Sequence, residues 1–414
     1  MRKRICIVTT RHVSYNPRAV KEADALSEAG YKVTVIAVNN HAAQDKEDEC
    51  LILSRKWRLE TVNYRRSGIR ERFLWLLTGC RKRIFDTILS RITLGYGVAE
   101  RAQGREYSEL CRLARRYPAD LYIVHHVEAL GAAYRAAKKY RALFAFDSED
   151  FHSGESDADC RSGRLERIEY LEAKYLPRCN YVTASSEGIA GALSEKYGVA
   201  CPEVILNVFP LEPHGNLNEI HQNRIMKEPS LYWYSQVIGP GRGLDEVIRA
   251  LSIVGRSVQL HLRGAPMNGF NQQLKEMAAS MGLQDRLYFH PPASPADLIR
   301  LAELHDIGLS IEPGKDPNNL LAASNKLFSY MVAGLAIIAT DTLGQKHIMS
   351  RVPDAGIVCR KADAASLAEA IDLLISDPSR LARAKRASRE AAVHLFNWET
   401  EKKKLLKIVE NCMN

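Results

Sequence analysis

Long apolar runs, paired cysteines and phosphate-loop signatures are all scarce in this 414-residue chain. No stretch approaches the ~18–20 consecutive apolar residues that a membrane-spanning helix needs. The nine cysteines are scattered, odd in number and without a C-x-x-C spacing. Neither a disulfide framework nor structural zinc is therefore expected, and a reducing compartment fits best. No G-x-G-x-x-G follows the first strand, so an NAD-type dinucleotide site is not expected. No Gly-Lys-Ser/Thr follows any glycine-rich turn, which excludes a P-loop. The opening Met1-Arg-Lys-Arg-Ile-Cys-Ile-Val-Thr-Thr10 is basic, then apolar. Its apolar part is only a few residues long and no small-residue cleavage site follows, so it reads as a strand and not a signal peptide. These absences together predict a cytoplasmic protein.

What is present is ordinary globular composition, 46% hydrophobic and 26% charged, in a chain long enough for two or three domains. The net charge of +9 is concentrated. Between Arg55 and Arg116 there are 16 Arg and Lys against 6 Asp and Glu. Within 65–91, Arg70, Arg72, Arg81, Lys82, Arg83 and Arg91 alternate with Phe73, Leu74, Trp75, Leu76, Leu77, Phe85, Ile88 and Leu89. Two readings fit. One is a basic amphipathic helix on an anionic membrane surface, which would make the protein peripheral on the inner face of the cell membrane. The other is a helix that packs its apolar side on the first sheet and solvates its arginines. No nucleic-acid reading motif accompanies the charge, so nucleic acid is not an expected partner.

Buried strands alternate with amphipathic helices along both halves. Arg4–Thr10 and Tyr31–Val38 flank a helix opened by Pro17 and Arg18 and stopped at Gly30, one right-handed βαβ unit. Further strands are predicted at 59–64, 121–126, 143–147, 181–185 and 204–207, with Ser186 capping a helix over 187–197. A shift to turn-forming residues places a linker at 208–229. The second half repeats the alternation, with strands at 231–236, 258–264, 287–290, 307–311, 335–339 and 356–360. The fold class is therefore α/β, with two doubly wound Rossmann-like domains. They are expected at 1–207 and 230–394, with a last helix over 395–414.

Four stretches carry candidate chemistry. Val237-Ile-Gly-Pro-Gly-Arg-Gly-Leu244 sets Gly239, Gly241 and Gly243 between a strand and a helix, with Arg242 where the helix begins, so backbone can approach an anion closely. Ser324, Asn325 and Lys326 open a helix with Leu327, Tyr330, Met331 and Gly334 on one face. Ser324 suits the N-cap and Gly334 the left-handed stop. Free N–H groups, helix dipole and ammonium all favour a phosphate there. Glu312 closes the strand 307–311, where a sugar could be held, and Arg263 closes another. Asp147-Ser-Glu-Asp-Phe-His152 ends a strand of the first half, where such sheets bind ligands; Glu149 or Asp150 there suits a base or orienter for a hydroxyl. His125 and His126 end the neighbouring strand and point oppositely.

The stretch Lys326-Leu-Phe-Ser-Tyr-Met-Val-Ala-Gly334 followed by an apolar strand resembles the nucleotide-sugar-binding segment of group 1 glycosyltransferases of the GT-B fold. Asn16 to Val35 is similar to the opening of the same family. The resemblance implies two domains facing each other across a cleft, the final helix returning to the first, and Asn207 near the hinge. It implies transfer of a sugar from a UDP- or GDP-linked donor to a glycan or lipid-linked acceptor, in polysaccharide biosynthesis, with retention of configuration and neither metal nor cofactor. Donor contacts then fall to Gly239, Gly241, Arg242, Gly243, Arg263, Glu312, Ser324, Asn325, Lys326 and Ser329, and the catalytic groups to Glu149, Asp150 and Lys326. The chain departs from the family where two glutamates are usual, at Leu321 and Ser329, where an arginine is usual, at Gln236, and where a proline is usual, at Ala336. Two rivals remain: a nucleotide-sugar epimerase of the same fold, and a non-catalytic scaffold.

Overall fold

The computed structural model describes residues 3–64, 68–156, 163–211 and 228–414. Most of the expected linker, 212–227, lies outside the described residues. The chain divides into two compact units, one formed by 1–205 with 402–414 and the other by 206–401.

In the first unit the strands are β1 (Arg4–Val8), β2 (Lys32–Asn39), β3 (Arg58–Asn63), β4 (Leu121–Val124), β5 (Leu143–Ser148), β6 (Tyr181–Ala184) and β7 (Glu203–Val204). They make one parallel sheet in the order β3-β2-β1-β4-β5-β6-β7. The direction of winding reverses between β1 and β4, and the strand ends beside such a reversal form the natural ligand crevice. Continuous β-branched runs such as Ile5–Val8 and Val35–Val38 are buried, as strands covered on both faces must be. The helix Pro17–Glu28 starts as its sequence dictates: Pro17 needs no N–H at the first position, and the Asn16 side chain accepts the Ala19 N–H at 3.0 Å.

That helix carries the pin of the unit. Arg18 grips Asp147 at the end of β5 with two bonds, 2.5 and 2.7 Å, and donates to the Ile205 carbonyl at 2.7 Å. One turn on, Glu22 meets Nε2 of His125 at 2.6 Å; the other ring nitrogen, Nδ1, lies 3.4 Å from Asp147. Thr183 of β6 donates to Asp147 at 2.6 Å. All these groups are buried. Burial opposes the charge on Asp147, but Arg18, His125 and Thr183 outweigh it and hold the carboxyl near a pKa of about 2. Burial likewise opposes the charge on His125, and Glu22 and Asp147 overcome it, so its pKa is raised.

The helix Ile69–Thr87 does not pack its apolar side on the sheet. Its inward side is polar: Arg81 pairs with Glu109, and Thr78 accepts from Arg105. Ile69, Phe73, Leu76, Leu77, Ile84 and Ile88 face outward. Of the two alternatives for 65–91, the packing one is thus reversed, and the Arg81 guanidinium is committed to Glu109. Residues 65–67 lie outside the described residues.

In the second unit, β8 (Ser230–Ile238), β9 (Gln259–Pro266), β10 (Leu287–His290), β11 (Ile307–Ser310), β12 (Ala336–Thr340) and β13 (Gly356–Cys359) form a parallel sheet in the order β10-β9-β8-β11-β12-β13. The reversal falls between β8 and β11. Leu231, Trp233, Leu260, Leu262, Leu309 and Ile338 fill one core under the sheet. On the other face the helix Asn325–Ala333 is buried from Leu327 onward. It sits close because Gly308 leaves room for the Tyr330 ring; a Cβ there would come within 2.3 Å of it. The helix ends as predicted, with Gly334 at φ 68°.

Asp147→Asn should remove roughly 3–5 kcal/mol from the first unit, the cost of stranding buried Arg18, read by chemical denaturation. The pH profile follows from the two shifts. The contribution of Asp147 is complete above its ordinary 3.8 and is lost as pH falls through about 2. That of His125 is complete below its ordinary 6.5 and is lost as pH rises through its higher folded value.

Candidate active site

At the reversal of the second sheet, two loops leave neighbouring strands at the same edge. The pairing of β8 with β9 shifts register between Tyr234 and Val237, a bulge of the kind that re-aims chain beside active sites. The chain then turns through Gly239, Pro240, Gly241, Arg242 and Gly243 into the helix Leu244–Ile253. Gly241 and Gly243 stand at φ 70° and 73°, a region that side-chain-bearing residues occupy only at a cost of ~1–2 kcal/mol. Gly243 also lies so close to β11 that a Cβ would sit 3.4 Å from the Ile311 carbonyl oxygen. Arg242 is exposed at the tip and Gly239 is buried at the base.

The residue after Ile311 is Glu312, the centre of a dense polar knot. Its Oε1 accepts from Lys326 Nζ at 2.7 Å and from the Ser324 hydroxyl at 3.0 Å; its Oε2 accepts from the Asn319 amide at 3.0 Å. Its backbone N–H donates to Thr340 at the end of β12, and its carbonyl accepts from the same hydroxyl. Burial disfavours the charge, yet Lys326, Asn319 and Ser324 prevail and hold the carboxyl at about 2. The ammonium of Lys326 also lies 5.9 Å from the centre of the Trp233 ring.

Among the residues expected here, the structure brings Glu312, Ser324 and Lys326 into direct contact, with the glycine turn on the adjoining strand end. Asn325 is exposed in the first turn of the helix. Three expectations change. The Ser324 hydroxyl does not cap its helix; it is spent on Glu312. Ser329 is buried, accepting from the Tyr234 hydroxyl at 2.8 Å and donating to the Lys326 carbonyl at 2.9 Å. Arg263 is buried too, donating to the Tyr232 hydroxyl and the Pro291 carbonyl, both at 2.9 Å. Both side chains are held by these contacts within the second unit.

In the first unit, Glu149 and Asp150 lie past the end of β5, with their carbonyls taking the hydroxyls of Ser185 and Ser148 at 2.6 and 2.8 Å. Burial, with Asp150 and Asp147 nearby, raises the pKa of Glu149 against the pull of Arg18. His152 beside them is pushed up to about 9: burial opposes this, but the contact with Glu155, together with Asp150, Glu172 and Glu128, prevails. His125 turns inward to the pin. His126 turns the other way, its Nδ1 meeting the Thr9 hydroxyl at 2.9 Å and the Thr10 N–H at 3.3 Å, beside the reversal between β1 and β4. An Nδ1 that accepts an N–H leaves the proton on Nε2. Burial and nearby Arg11 hold the ring neutral. The alternation of strand side chains offered either histidine; only the pin decides between them.

Two buried triads have metal-ligand composition, His12 with Asp45 and Asp48, and Glu22 with His125 and Asp147. In the first, His12 Nε2 accepts the N–H groups of Asn40 and His41, and Asp48 takes Ser14. In the second, the guanidinium of Arg18 already occupies both oxygens of Asp147.

Residues 217–391 match the family described as Glycosyl transferases group 1. No curated protein sequence matches the chain. Among solved structures, a glycosyltransferase from Rickettsia africae is similar over 100% of this chain and 99% of its own, at TM-score 0.71 and 16% identity. The HepE protein of Anabaena, solved with UDP-glucose, is similar over 99% of each chain at TM-score 0.68 and 14% identity. Sucrose-phosphate synthase from Thermosynechococcus elongatus is similar over 99% of each at TM-score 0.71 and 14% identity. The two parallel sheets and these neighbours give the GT-B fold.

Glu312→Gln should strengthen pyrophosphate binding to the second unit, because it removes a fixed negative charge beside Lys326. At ~8 Å and an effective dielectric of ~20 the gain is about 2 kcal/mol. Titration calorimetry of the variant against the parent protein measures it.

Proposed function

We propose that this chain, whose residues 217–391 match the group 1 glycosyltransferases, moves a sugar from a nucleotide-diphosphate donor to a hydroxyl of a glycan or lipid-linked acceptor. The observation that carries the reading is the pairing of a glycine turn, strained at Gly241 and Gly243, with the Lys326 ammonium. The turn leaves β8, and Lys326 is tied to Glu312 just past the end of β11, the two strands that flank the reversal of the second sheet. Backbone N–H groups of the turn, Arg242 and Lys326 suit a pyrophosphate, and Glu312 with Asn319 suits sugar or ribose hydroxyls. UDP-glucose in the Anabaena neighbour makes a UDP-linked donor the first to test, with GDP-linked donors second.

The chemistry breaks the bond from the anomeric carbon to the diphosphate oxygen, forms one to the acceptor oxygen, and passes the acceptor's hydroxyl proton to the departing diphosphate. Charge gathers on the departing diphosphate, where Arg242 and Lys326 stabilise it without a metal. The acceptor belongs to the first unit, near Glu149 and Asp150, which orient its hydroxyl. His126 offers a neutral N–H donor at the other strand end. Retention of configuration follows the family pattern. A place at the inner face of the cell membrane, in surface polysaccharide synthesis, fits a lipid-linked acceptor.

Lys326→Ala should weaken UDP binding by about 2 kcal/mol or more and uridine binding little; equal losses would remove the phosphate role. Donor turnover that needs an added acceptor supports transfer. Interconversion of the donor sugar alone would make the protein an epimerase.

A further inference from the structure

The helix Ile69–Thr87 turns its polar side to the protein and its apolar side to solvent. Inward, Arg81 makes a two-pronged pair with Glu109, at 3.0 and 2.6 Å, and Glu109 also takes the Tyr64 hydroxyl at 3.0 Å. Arg105 donates to Thr78 at 3.0 Å and lies 4.5 Å over the ring of Trp75. These contacts fix the rotation of the helix about its axis. Outward, Ile69 is 90% exposed, Phe73 67%, Leu76 56%, Leu77 51%, Ile84 50% and Ile88 56%. Their spacing keeps them on one stripe, about 28 Å long at ~1.5 Å per residue. Monomeric soluble proteins rarely leave so long an apolar surface uncovered.

Charge identifies what covers it. The segment has two carboxylates, and both are engaged: Glu71 accepts the Gly68 N–H at 3.2 Å and Asp86 pairs with Arg167 at 2.9 Å. Exposed Arg72 and Arg83 flank the stripe, and exposed Arg91 follows its end. Two copies placed stripe to stripe would bring these cations together. A flat surface of negative charge over an apolar interior meets both halves of the pattern.

We infer that this stripe is the docking face for an anionic lipid bilayer, with Phe73, Leu76, Leu77 and Ile84 entering the boundary between headgroups and acyl chains while Arg83 and Arg91 meet lipid phosphates. The inference deepens the membrane part of the function proposed above, since it gives a lipid-linked acceptor a surface on which to be met. Its test requires no sugar chemistry, so either can fail alone.

The full chain is sedimented with vesicles of phosphatidylcholine, with and without phosphatidylglycerol. It should pellet with the anionic vesicles and stay in solution with the neutral ones. Leu76→Asp with Ile84→Asp should abolish pelleting. Arg83→Gln and Arg91→Gln should weaken it by roughly fivefold each. Both sets should keep the parent melting temperature and UDP affinity. Absence of pelleting with anionic vesicles, or pelleting indifferent to the aspartates, would overturn the assignment. So would self-association in sedimentation velocity that the aspartates abolish, which would give the face to a second copy. Vesicle binding by a protein that transfers no sugar would leave this inference standing and remove the other.

Discussion

The second unit depends on one carboxylate kept charged where burial disfavours charge. Glu312 joins three pieces of chain: the end of β11, the short segment carrying Asn319, and the start of the helix Asn325–Ala333. Its main chain adds a fourth by exchanging bonds with Thr340 of β12. A buried pair of this kind contributes little net stability over an apolar substitute, but removing one partner is costly. Its value here is placement. It holds the Lys326 ammonium at a fixed point beside the glycine turn, and the tight approach of Gly243 to Ile311 fixes the turn in the same frame.

The first unit solves the same problem with the charges exchanged. There the cation is the structural member: Arg18 is buried against Asp147, and the groups left near the strand ends are carboxylates and a neutral histidine. Both sheets reverse winding at their fourth strand in order, and in both the polar chemistry gathers at that reversal. The repeat of architecture thus carries opposite electrostatics, cationic in the unit proposed for the donor and acidic in the unit proposed for the acceptor.

Much of this was legible in the chain. Strand and helix alternation, the Gly334 stop, the Ser186 cap and the strand-end position of Glu312 are local or periodic facts, and local physics sets them. What was not legible depended on partners distant in sequence. Ser324 looked like a cap because its neighbours permit one; its hydroxyl goes instead to a carboxylate twelve residues earlier. Arg263 looked like a phosphate ligand because it ends a strand, but the side of the sheet it faces is decided by Tyr232 and Pro291. Arg18, read only as part of a helix start, and Glu22 one turn on gain their roles from His125 and Asp147, more than a hundred residues away. The stripe on Ile69–Thr87 was visible as apolar residues among arginines, but its direction required Glu109 and Arg105.

The division of the chain has a consequence for biosynthesis. The first unit includes Lys402–Asn414, with Lys3 donating to the Met413 carbonyl and Lys402 paired with Glu28. On a ribosome, where domains close in the order they emerge, this unit waits for its last helix while 206–401 is made and folds. Nascent chains arrested anywhere in that interval would hold a sheet already formed but missing one piece of its cover, a natural client for chaperones.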